Sequence, residues 1–293
     1  MKIFKILWIL LPFALVISGC KNQQKKIDEG FRFDEGQQLK EIEITKSFIY
    51  LFPAPGEVLD RFYEADLQYL SEILHDPARA DAFLTARDQA LNLGVYLSDM
   101  AYSALFSRNS EATEYLDVIR DLSGDLNVST SVFETLTERA KNNIANRDSL
   151  LAISNEAYFE MMEFLENSGE ETTLAVITAG AYIEAMYLAI NAVEEFREDD
   201  PVITQIAEMK YPLENLMGMT GQESEDPNVQ SILEFMKELE GIFGNLEKEA
   251  VTSEVVEPGV INLTGGDLPD LNEQNFDEVK QKVILIREQI VAK

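Results

Sequence analysis

Two carboxylates stand out by their surroundings. Asp99 is the only charge between Leu91 and Phe106, and Glu184 the only one in the twenty residues from Leu174 to Val193. Burying an unpaired carboxylate is costly, so each must be paired, neutral or open to a cavity. The hydroxyls of Tyr96, Tyr102 and Tyr182 and the guanidinium groups of Arg87 and Arg147 are the candidate partners. Tyr96, Asp99, Tyr102, Tyr182 and Glu184 therefore form the candidate ligand-binding set, a polar pocket between two apolar helices. A satisfied structural network, or a place on the helix surface, is the competing reading. No catalytic residue is singled out. His75 stands beside Asp76-Pro77 at an expected helix end, where capping explains it better than catalysis.

Metal chemistry finds little to work with. A single His and a single Cys exclude a multi-His centre, a Cys-based zinc site and an intrachain disulfide framework. The stretch Asp121 to Asn127 has alternating oxygens, but Leu126 stands where a calcium loop needs glycine and Val132 where it needs the closing Glu. No glycine loop suited to cradling phosphate is present, and no cofactor is expected. Seven methionines between Met161 and Met236, with nearby Tyr and Phe, form a methionine-rich core or an adaptable apolar groove.

The 293 residues carry 53 Asp+Glu against 24 Lys+Arg, a formal charge of −29. That balance opposes nucleic-acid binding, because counterion release needs clustered cations. The 46% of hydrophobic residues suffices for a sizeable core.

The N-terminus carries an address. Lys2 and Lys5 precede a 12-residue apolar run, Ile6 to Ile17, too short to span a bilayer. Val16-Ile17-Ser18-Gly19-Cys20 resembles the lipobox of bacterial lipoproteins. The resemblance implies a signal peptide over 1–19, cleavage before Cys20 and a diacylglyceryl group on its sulfur. The chain from Cys20 onward has a side-chain charge of −31, since Lys2 and Lys5 are lost. Lys21 in place of Asp, by resemblance to known sorting rules, favours the outer membrane; the face is left open. Residues 20–46 read as a flexible, lipid-anchored tether.

The elements that must position the carboxylates follow from apolar periodicity. The first helix runs through Val58, Phe62, Ala65, Tyr69 and Ile73 to a stop at Asp76-Pro77, and the second from about Arg79 to Phe106. A third follows Asn109 or Ser110, a fourth Ser129 or Thr130, a fifth covers Arg147 to Glu166 and a sixth Glu170 to Arg197. A seventh, Pro201 to Met217, is interrupted at Tyr211-Pro212, and an eighth covers Val229 to Leu246. Residues 250–293 are turn-rich and end in a helix, Phe276 to Val291, docked or free. The expectation is an all-α domain over 47–249, a multi-helix antiparallel bundle or short α-solenoid. The long apolar stretch at Leu174 reads as a buried central helix rather than a membrane span. Gly94-Val95-Tyr96-Leu97-Ser98-Asp99-Met100 echoes Gly180-Ala181-Tyr182-Ile183-Glu184-Ala185-Met186 at an offset of 86, which raises two four-helix repeats.

Several segments together resemble a family of uncharacterised bacterial envelope lipoproteins. They are Phe52-Pro53-Ala54-Pro55, Ala90 to Tyr96 with Asp99 and Tyr102, Asn146 to Leu150, and Gly180 to Glu184. The resemblance spans roughly residues 48–195 and implies membership without an activity. It adds weight to Asn92, Tyr96, Asp99, Asp148 and Glu184 as shared architecture. The expectation is a membrane-anchored, non-enzymatic binding or scaffolding protein with a protein or small-molecule partner. The alternatives are an enzyme using buried acids in an interhelical pocket, and a structural subunit of an envelope complex.

Overall fold

Side-chain caps start many of the helices. Thr85, Asn146, Asp200, Asp226 and Asn272 each accept a hydrogen bond from a first-turn backbone N–H. The computed structural model describes residues 52–128, 130–143, 145–220, 225–246, 252–257, 260–264 and 271–292. The expected signal peptide, lipobox with Cys20 and tether lie outside these residues. Residues 46–293 form one compact unit.

Among the described residues the helices are α1 (Pro55–Glu64), α2 (Ala86–Leu105), α3 (Asn109–Asp125), α4 (Thr130–Asn142), α5 (Arg147–Ser168), α6 (Glu171–Asn191), α7 (Pro201–Glu208), α8 (Lys210–Thr220), α9 (Pro227–Gly244) and α10 (Glu273–Val291). The architecture is the expected helical bundle. Its axis is a pair: every residue of α2 from Ala90 to Leu105 is buried, as is nearly all of α6 beyond Leu174. The α6 helix is long and apolar enough to cross a membrane, but 89% of its apolar window is covered by the rest of the bundle.

The α2–α6 crossing is backbone against backbone. A Cβ added to Gly94 would lie 2.1 Å from the Ile177 carbonyl oxygen, and one added to Gly180 would lie 2.0 Å from that of Leu91. Both residues are the glycines of the echoed heptapeptide. Leu91 and Ile177 are also 86 apart, so the contact is reciprocal, as a two-fold relation between two repeats requires. Ser98 Oγ donates to the Ala181 carbonyl at 3.0 Å across the same contact.

Three elements depart from the periodic reading. The first helix ends at Glu64, because Asp66 takes a left-handed φ of 73° and the chain to Pro77 runs irregular, with one 3-10 turn at Ser71–Ile73. A second 3-10 turn, Pro77–Ala82, replaces the start expected for the second helix. The seventh helix breaks at Met209, ahead of Tyr211-Pro212. The reason is steric: a proline ring strikes the carbonyl four residues earlier, here Glu208, while Pro212 itself sits harmlessly in the first turn of α8.

The turn-rich region contains a hairpin. Antiparallel strands β1 (Thr252–Glu257) and β2 (Val260–Thr264) pair with Val255 opposite Ile261 and an irregularity between Val255 and Glu257. Branched residues (Thr252, Val255, Val256, Val260, Ile261, Thr264) flank Pro258-Gly259 in the sequence, which is hairpin chemistry. The terminal helix is docked: α10 packs on α6, α9 and α2 through Phe276, Val279, Val283, Ile286 and Ile290.

Candidate functional site

The irregular segment 67–76 needs partners for its backbone, because buried N–H and C=O groups left unpaired are costly. Helix α2 supplies them from one row of side chains spaced by three. Tyr102 Oη donates to the Gln68 carbonyl at 2.6 Å and accepts from Leu70 N at 3.0 Å. Asp99 Oδ2 accepts from His75 N at 3.1 Å. Tyr96 Oη donates to the Asp76 carbonyl at 3.1 Å. From α3, Tyr115 Oη donates to the His75 carbonyl at 2.9 Å. The segment is thus strapped across α2 by side chains standing in for a helix ladder.

Rings pack along the strap. His75 stacks on Tyr96 with centroids 5.1 Å apart, and Tyr69 on Tyr102 at the same distance. The Arg108 guanidinium lies over Tyr69, whose hydroxyl is hydrogen-bonded to Glu111. Burial, and then the Arg287 and Arg79 charges, push the His75 imidazole down to about 4. His75 is therefore neutral, and its Nε2 has no partner among the described residues. It does not cap a helix through its charge, as its place beside Asp76-Pro77 suggested. Burial raises the Tyr102 phenol to about 12, so it stays a donor at any ordinary pH.

Glu184 comes from α6 to meet Asp99; both are fully buried. Neither Arg87 nor Arg147 is their counter-ion. Arg87 lies over Phe235 and Arg147 over Tyr63, with its other end toward Asp60. The cation is Arg287 of α10. Its Nε donates to Glu184 Oε2 at 3.0 Å and its Nη2 to Glu184 Oε1 at 3.3 Å, a forked pair. The same Nη2 reaches the Ile73 carbonyl of the strap at 3.3 Å, and the guanidinium stacks over Tyr187 at 4.5 Å. Asn92, buried on α2, adds a second tie by donating to the Ile290 carbonyl at 3.1 Å.

Charge at the site is uneven. Burial, and then the Glu184 charge beside it, push Asp99 well above the usual carboxylate range. Burial also raises Glu184, against the opposing pull of Arg287. Among the described residues Asp99 Oδ1 meets no donor, and the Asp99 side chain neighbours Glu184. A protonated Asp99 that donates to the Glu184 carboxylate satisfies both groups.

Of the five candidate residues, the structure brings Asp99 and Glu184 together and places Tyr96 and Tyr102 on the strap beside them. Tyr182 faces elsewhere. Its hydroxyl donates to the Met209 carbonyl at 3.2 Å, and its ring lines an apolar slot of about 30 Å³ with Phe52, Val58, Tyr158 and Pro212. That slot shares Val58, Met209 and Pro212 with a neighbouring cavity of about 90 Å³ between α1 and α7–α8. The residue that sequence reasoning missed is Arg287. A basic residue four positions after Val283 and three before Ile290, inside an apolar stripe, was its available signal. Among the described residues no group of three His, Cys, Asp or Glu side chains is placed to hold a metal.

Comparison with known protein families, curated proteins and solved structures finds no match.

Proposed function

We propose that this chain is a lipid-anchored protein of the bacterial envelope, outer-membrane by its Lys21, that acts by binding or scaffolding and not by catalysis. The observation that carries the choice of binding over catalysis is the burial of Asp99 and Glu184 with Arg287 and the strap. Acids used in turnover must meet substrate, and these have no exposed surface. Their shifted protonation follows from packing and from each other, which structural ion pairs also produce. The anchor rests on the Lys2 and Lys5 region, the 12-residue apolar run and the lipobox ending in Cys20. The resemblance to envelope lipoproteins supports the same reading. Partners of either kind, protein or small molecule, then meet the outer, strongly acidic surface of the bundle.

Expressing the full chain and C20S in a diderm bacterium fed a labelled fatty acid tests the anchor. Label and membrane fractionation are expected in the wild type, and soluble, unlabelled, unprocessed or misprocessed protein in C20S. An unlabelled wild type that fractionates like C20S overturns the reading.

A further inference from the structure

We propose that Asp99 and Glu184 jointly hold one proton that forms part of the seat of α10, and that losing this proton in alkaline solution unseats α10 ahead of the rest of the bundle. The balance of charge requires the proton. Two carboxyl groups, both fully buried, share one partnered cation, Arg287. Two carboxylates against one guanidinium would leave a net negative charge in a low-dielectric interior, so one acid keeps its proton. Hydrogen bonding says which. Both Glu184 oxygens accept from Arg287, whereas among the described residues Asp99 Oδ1 has no hydrogen-bond partner and the Asp99 side chain neighbours Glu184.

The other groups around the pair are neutral or acidic, apart from one arginine that acts elsewhere. Tyr96 and Tyr102 on α2 and Tyr115 on α3 are neutral phenols bonded to the strap. His75 is neutral, Tyr187 on α6 lies under Arg287, and Asp76, Glu72 and Glu288 are acids acting on these same tyrosines. Arg79 acts from the 3-10 turn Pro77–Ala82 on His75 and Tyr96, while the cation acting on both Asp99 and Glu184 is Arg287.

Geometry decides which element yields. Hydrating two carboxylates requires opening the site. The α2–α6 contact is closed by Gly94 and Gly180 against opposing backbone, and neither helix can part without breaking it. The α10 helix is bound to the body largely through side chains. Beyond its apolar stripe, it is tied to the body by Arg287, the Asn92–Ile290 bond and the Lys282–Glu238 ion pair. Lifting α10 withdraws Arg287 from Glu184 and opens the site from that side.

Hydrogen exchange of the full chain, wild type and D99N, from about pH 6 to about pH 10 with labelling times scaled for intrinsic exchange, tests this. The amide introduced by D99N reproduces the neutral donor toward Glu184. The expected result is that α10 protection in the wild type, relative to D99N at each pH, falls about tenfold per pH unit once the proton is lost. Protection of α2 and α6 stays level between the two proteins. Parallel α10 profiles in wild type and D99N overturn the proposal, as does simultaneous loss across α2, α6 and α10. A carbon-13 carboxyl titration of the wild type gives an independent readout that needs no variant. Asp99 should hold the shift of a neutral acid at pH 7; the shift of a carboxylate there contradicts the proposal.

Discussion

Helix α2 is held on two sides by different means. Toward α6 it offers Gly94 and small residues, and contact is made backbone to backbone with the reciprocal Gly180. Toward the strap it offers Tyr96, Asp99 and Tyr102, and contact is made by side chains that hydrogen-bond to an irregular backbone. The first contact depends on the absence of side chains and tolerates no added volume. The second depends on a few polar atoms, and each removal strands a buried group. The residues with the most chemical promise in the sequence therefore serve on the second side as builders. They replace a helix ladder and seat the terminal helix.

The largest effect should come where the two sides meet. R287A leaves Glu184 buried without its cation, and breaking a buried pair from one side costs about 3–5 kcal/mol. Chemical denaturation should show that loss as a lower midpoint. The crossing comes next: G94A puts a Cβ onto the Ile177 carbonyl, and overpacking against backbone costs about 1–3 kcal/mol or more. G180A should cost a similar amount, because the contact is reciprocal. Unequal losses would break the two-fold reading of the crossing. On the strap side, Y102F orphans the Gln68 carbonyl and the Leu70 amide and should cost about 1–3 kcal/mol. At the bottom of the range, R139A removes a surface ion pair with Glu156 and should cost under about 1 kcal/mol.

Acidity sharpens the same contrast, since His75 and the acid pair both lie on the strap side. His75 is lowered from 6.5 to about 4, so the unfolded chain binds its proton first and stability falls as pH drops between those values. Asp99 is raised, so its contribution is complete below the ordinary carboxylate range and is lost as pH climbs to its folded value. The two slopes oppose each other where the two ranges overlap. Above about pH 6.5 the His75 contribution no longer changes, and the slope left from these sites is that of the acid pair, downward with pH until pH passes the folded value of Asp99. H75F should remove the acid-side slope, and D99N the alkaline one, while G94A should lower the whole curve without tilting it. Denaturant midpoints across pH for the three variants check this.

Much of the helical frame could be read from periodicity, and Asp99 and Glu184 from their isolation on apolar helices. The glycine echo was legible only as a sign of two repeats; that its two glycines meet at the crossing is the structure's addition, although close packing does leave a mark in small residues at fixed spacing. What escaped were features made by distant chain. Ala65, Tyr69 and Ile73 continue the helical period beyond Glu64, yet Tyr102 and Asp99 draw that stretch into a strap. Local pattern cannot weigh hydrogen bonds offered from 24 to 34 residues away. Arg287 lies 103 residues beyond Glu184, and no spacing rule couples them. The interruption of the seventh helix was legible from Tyr211-Pro212, and only its place moved, to Met209, since Pro212 acts four residues upstream and not at its own position.

Amide hydrogen exchange at Leu70 and His75 tests the strap most directly. These two N–H groups lie outside any α-helix and are bonded by the Tyr102 and Asp99 side chains. Both should exchange as slowly as the amides of α2 and α6, through global unfolding, and Leu70 alone should become fast in Y102F. Exchange at loop-like rates in the wild type would contradict the strap, and would return Tyr96, Asp99 and Tyr102 to the search for a ligand.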